Sequence, residues 1–141
     1  MNNEQMLRSI LHTVQMGQSG IRSVQNKAIR PDLKQELHRQ LQQYDAMETA
    51  AKKMAKQHHW NLTDIPKSVT TMSDIMAKMR LMGGERESKI AGMLIQGNTR
   101  GVILGMKNLR QGKRVDAEVQ QMARQLISQE RLSIENTEPF L

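Results

Sequence analysis

Apolar residues recur every three or four positions along nearly the whole chain, a spacing that predicts helices. Over residues 3–27, Leu7, Ile10, Leu11, Val14, Ile21 and Val24 share one face. Arg30-Pro31-Asp32 ends that helix, because proline disfavours helical geometry at the residue before it. The same Pro31 and Asp32 suit a first helical turn, so a second helix is predicted over 32–60. Its inward face carries Leu33, Leu37, Leu41, Tyr44, Met47, Ala51 and Met54. A short amphipathic piece follows over 67–82, with Met72, Met76, Met79 and Met82, and Gly83-Gly84 breaks it. Two further helices are predicted over 85–111 and 116–135, the last opened by Asp116 as N-cap.

Four long helices and no strand pattern define an all-α four-helix bundle in one domain, 1–141. The loop between the first two helices is short, which makes them an antiparallel pair. Residues 61–84 are too many for such a turn and suit a crossover running back along the bundle. A single kinked helix over 67–111 is the competing arrangement; at about 65 Å it would overhang its neighbours.

Gly97, Gly101 and Gly105 fall four apart in the most apolar stretch, Met93–Met106. Helix-interior glycine costs about 1 kcal/mol relative to alanine, so three on one face call for a packing reason. The expectation is close backbone approach to a second small patch, Gly17 and Gly20, midway along the first helix. Gln18, Tyr44 and Gln96 are then expected to line the interior.

Composition narrows the chemistry. Aromatics make up 2 % of the 141 residues, which argues against a sheet, whereas the 12 methionines suit adaptable helix contacts. Cysteine is absent, so thiolate chemistry and disulfides are excluded. No serine sits in a recognisable nucleophile turn, and no enzyme is expected. No leader or membrane-spanning run is evident, and a cytoplasmic protein without membrane contact is expected. His12, Asp45 and Glu48 are the metal-ligand candidates, although the Glu-x-x-His pairs of a di-iron bundle are missing. No cofactor is expected.

Net charge is +7, unevenly placed. Residues 61–114 carry ten basic and four acidic groups, and 115–141 carry two and five. Arg100, Lys107, Arg110, Lys113 and Arg114 form a patch able to contact phosphates. Three aromatics cannot supply a stacking platform for single strands, so nucleic acid ranks below a protein partner or a second copy.

The predicted order of helices resembles the ferritin-like superfamily. Thr13-Val-Gln-Met-Gly17 and Met93-Leu-Ile-Gln-Gly97-Asn-Thr-Arg-Gly101 further resemble a group of small Firmicutes proteins, mostly clostridial. The resemblance implies a bundle and no named activity. Ferritin-like proteins bind two metal ions, but amides here stand where they carry carboxylates. A non-catalytic structural or interaction bundle is therefore the leading reading, a degenerate metal-binding bundle the second, and a basic nucleic-acid-binding bundle the third.

Overall fold

The computed structural model describes residues 1–28, 30–66, 79–80 and 83–141. Four α-helices pack as a bundle: α1 (Asn3–Val24), α2 (Pro31–Gln57), α3 (Arg86–Gln111) and α4 (Ala117–Thr137). Short 3-10 turns extend α1 over Gln25–Lys27 and α4 over Glu138–Phe140. The expected short helix over 67–82 lies outside the described residues except for helical Met79 and Arg80. Among the described residues, no helix is long and apolar enough to cross a membrane.

Local chemistry sets the helix ends. Asn2 opens α1 through a reciprocal capping box with Gln5, at 2.8 and 2.9 Å. Pro31 stands in the first turn of α2, followed by Asp32. At the other end His59 takes a left-handed φ of 59°, and the Trp60 N–H returns to the Ala55 carbonyl at 2.9 Å. His58 stacks on Trp60 and pairs with Glu118 of α4, which pins the end of α2 to the start of α4. Asp116 occupies the N-cap position of α4, but its side chain makes no capping bond; its N–H instead donates to Asn3 Oδ1 at 2.8 Å.

The first part of the connection from α2 to α3, residues 61–65, runs along α1. Asn61 bonds Glu4 and Arg8, the Thr63 carbonyl lies 2.8 Å from His12 Nε2, and the Ile65 N–H donates to Gln15 at 3.0 Å. Arg86 and Lys89, at the start of α3, share a cleft with Asn26 and Lys27 at the end of α1. At the opposite end Asn108 Nδ2 reaches Ser9 Oγ at 2.7 Å, so α3 runs antiparallel to α1. The bond from Gln40 to Thr137 and the pair His58–Glu118 set α4 antiparallel to α2. The directions are up, down, down, up, as a lengthwise crossover requires. Gly83 and Gly84 are non-helical, with Gly84 at a φ of +97°, so α3 is not a continuation of an earlier helix.

The core is aliphatic and drawn from all four helices. Met6, Leu7, Leu11, Leu33, Leu37, Ile90 and Val119 are among its fully buried side chains. Each such large side chain contributes about 1.5–3 kcal/mol by leaving water.

The glycines pack differently from the expected backbone contact. A Cβ on Gly17 would lie 2.4 Å from the Tyr44 ring, and one on Gly101 would lie 2.7 Å from Glu130 Oε2. A Cβ on Gly105 would meet Ile127 at 2.7 Å. These three glycines seat large side chains from the neighbouring helix rather than another glycine face. Gly20 and Gly97 meet nothing within 4 Å, and Gly97 faces solvent. The expected meeting of the Gly17–Gly20 patch with Gly97 is thereby corrected: side chains, not bare backbones, fill the waist.

Two substitutions separate these roles in urea denaturation. Gly17→Ala should destabilise by about 1–3 kcal/mol, because the buried Tyr44 ring has nowhere to retreat. Gly97→Ala should stabilise by about 0.5–1 kcal/mol, because its methyl enters open space and restores helix propensity. Equal effects of the two would refute the distinction.

Candidate functional site

The space cleared by Gly17 and Gly101 holds a buried polar triad. Tyr44 comes from the inward stripe of α2, Asn98 from α3 and Glu130 from α4, with exposures of 4 %, 4 % and 2 %. The Tyr44 hydroxyl donates a short hydrogen bond to Glu130 Oε1. Asn98 Nδ2 donates to Tyr44 Oη and to Glu130 Oε2, both at 3.2 Å. Among the described residues, no cation pairs with Glu130. A buried carboxylate without a counter-charge is expensive, and the proton is its cheapest partner. Burial pushes the Glu130 carboxyl up to about 7, against the downward pull of the Tyr44 and Asn98 hydrogen bonds. Burial first, then the nearby Glu130 charge and hydrogen bond, drive the Tyr44 phenol well above its ordinary range. Asn98 Oδ1 is buried without a donor. A half-turn of that amide would set Oδ1 beside Glu130 Oε2, where a protonated carboxyl can donate to it.

A second cluster is wetter. Gln15 Nε2 donates to Glu48 Oε2 at 3.0 Å and to Asp64 Oδ1 at 2.8 Å. Gln18 Nε2 donates to Asp45 Oδ1 at 2.9 Å and to Glu48 Oε1 at 3.3 Å. Lys52 stands 3.6 Å from Glu48 and 3.5 Å from Asp64, and Arg22 stands 3.6 Å from Asp45. Partial burial raises Glu48, but the bonds from Gln15 and Gln18 outweigh it and hold the carboxyl below its usual value. The Gln15 bond, aided by Lys52, lowers Asp64 as well. Amide and cationic side chains already serve all three carboxylates.

The expected metal trio is not assembled. Asp45 and Glu48 share Gln18, but His12 turns to the Thr63 carbonyl. No cluster of three His, Asp or Glu side chains suited to a metal exists among the described residues. The triad fits a metal pair no better, since one carboxylate cannot balance two multivalent cations.

Of the expected interior residues, Gln18 and Tyr44 are buried, whereas Gln96 is exposed. Asn98, two positions on, takes the inward place because it continues the buried stripe of Ile90, Ala91 and Leu94. Sequence reasoning passed over Glu130. Its position was legible, since Val119, Met122, Ala123, Leu126 and Ile127 lead to it at helical spacing.

The third feature is the surface of α3. Arg100, Lys107, Arg110, Lys113 and Arg114 are all exposed, and none makes an ion pair among the described residues. No acidic residue occurs between Ser88 and Val115. Ile103, Leu104 and Met106 stand among these cations at exposures of 48 %, 43 % and 47 %. Leu104 also lines a groove of about 620 Å³ between α3 and α1, with Met1, Arg8 and Met16 on the opposite wall.

The raised Glu130 carboxyl gives the fold a pH dependence. An unfolded chain returns it to 4.5, so between about 4.5 and 7 the folded state holds a proton that the unfolded state lacks. Stability from this group is complete below about 4.5 and falls as pH rises through about 7, by about 3 kcal/mol in all. Glu130→Gln should flatten that slope in denaturation series from pH 4 to 8 and raise stability at the alkaline end. An unchanged slope would contradict the assignment.

The fold has a counterpart among solved structures. The crystal structure of a DUF305 fragment from Deinococcus radiodurans is similar with a TM-score of 0.76, covering 97 % of this chain and 93 % of that one. Sequence identity is 12 %, so the likeness is one of fold alone. No protein family matches the chain by sequence, and no curated protein does.

Proposed function

We propose that the chain is a non-catalytic bundle that works by binding protein, either a second copy or another partner. One observation carries this reading: three large apolar side chains stand half-exposed on α3, on a helix whose inward face is already fully occupied. Exposed apolar clusters of this kind mark contact surfaces more often than idle ones. The polar groups of the interior support the same reading. Tyr44, Asn98 and Glu130 bond to one another at the centre of the fold, each buried to 4 % exposure or less.

The up-down-down-up order with a lengthwise crossover agrees with a ferritin-like ancestry. On that reading the chain has kept the bundle and given up the metal centre, with Glu130 the one buried carboxylate among the described residues. A phosphate-binding role for the cations of α3 ranks behind protein binding, because Ile103, Leu104 and Met106 interrupt them with surface that phosphates do not use.

Two measurements test the proposal. Elemental analysis of the purified protein should find no stoichiometric iron, manganese or zinc; one ion or more per chain would overturn it. Light scattering across a concentration series tests the second-copy form. Self-association should appear and should weaken in an Ile103→Glu variant, whereas a strict monomer leaves only the form with another partner.

A further inference from the structure

We infer that the groove between α1 and α3 is a docking site for an acidic amphipathic helix of a partner protein, an inference that rests on the protein-binding reading above. The groove follows α1 from Met1 to Met16, about 22 Å at the helical rise, enough for a guest helix of about four turns. Its apolar contacts are Met1 and Met16 on one wall and Leu104 on the other. Methionine adapts its shape to a guest at little cost, and two of these three side chains are methionine.

The charge of the guest follows from the rim. Leu104 and Gln111 line the groove, so Lys107 between them and Arg100 one turn before lie on the same stripe of α3. Both are exposed cations without an ion pair among the described residues. On the α1 wall Arg8 has Nε buried with no hydrogen-bond partner, although its terminal nitrogen reaches Glu4 and Asn61. Some cations elsewhere are paired, as at Arg22–Asp45, Arg30–Asp32, Arg39–Glu36 and Lys52–Glu48, whereas this stretch of α3 carries no acidic residue between Ser88 and Val115 to offset its charge. A guest with an apolar stripe flanked by carboxylates would fill the floor and neutralise the rim. The helix-in-groove mode supplies the geometry, and the unpaired cations select the sign.

The test uses a labelled 16-residue helical peptide with leucines at helical spacing and glutamates flanking them. Its counterpart has glutamine for every glutamate. Fluorescence anisotropy should show saturable binding of the acidic peptide, at least about tenfold tighter than the glutamine peptide and weaker at high salt. Leu104→Glu and Lys107→Glu, both surface changes, should each reduce it by about tenfold or more while circular dichroism stays unchanged. Equal binding of the two peptides, binding that survives both variants, or no saturation up to about 1 mM would overturn the inference. Tighter binding to phosphatidylglycerol vesicles than to the peptide would assign the groove to a membrane surface and overturn it too. So would a dimer that only the groove variants dissociate. These failures leave a metal-free, protein-binding bundle standing, whereas a stoichiometric metal removes that reading whatever the peptides do.

Discussion

A carboxyl group at the centre of a helical bundle needs room, donors and a proton, and the waist of this fold is arranged around those needs. Gly101 leaves the volume that Glu130 fills, and Gly17 leaves the volume for the Tyr44 ring. Tyr44 and Asn98 then supply the donors. Three helices meet α1 at this level, so the triad also fixes the depth at which α2, α3 and α4 engage. Buried polar groups can specify one packing among several apolar alternatives, although they add little net stability. A partly uncharged Glu130 limits the cost of the arrangement near neutral pH.

Charge is handled differently at three depths. In the interior, burial shifts Glu130 toward its neutral, protonated form. In the seam between α1, α2 and the connection, Gln15 and Gln18 distribute their amide hydrogens over Glu48, Asp45 and Asp64, and Lys52 and Arg22 stand outside. The bonds at Asp64 and Ile65 tie this part of the connection to α1 and α2. Along α3 Arg100, Lys107 and Arg110 make no ion pair among the described residues and stand beside half-exposed apolar side chains. Among the described residues, the first two clusters find partners within the molecule and the third forms no ion pair.

The chain contains no Glu-x-x-His, the spacing by which two helices of a di-iron bundle supply their ligands. His12, grouped with Asp45 and Glu48 as a metal-ligand candidate, is taken by a backbone carbonyl of the connection. A carbonyl cannot be located from periodicity, because it belongs to a segment without regular spacing.

The order of the helices, their lengths and the need for a crossover followed from the 3.6-residue period and from Pro31, Gly83 and Gly84, since both act through local backbone geometry. The buried stripe of α1 and the place of Tyr44 followed for the same reason. What each glycine faces did not follow. Gly17 and Gly101 seat a tyrosine and a glutamate, Gly97 seats nothing, and Asn98 rather than Gln96 turns inward. A helix sets which residues share its own face, but its rotation about its axis and the level of its neighbours are set by packing among distant segments. Only the tertiary structure decides those, and the Tyr44–Asn98–Glu130 triad exists solely as their product.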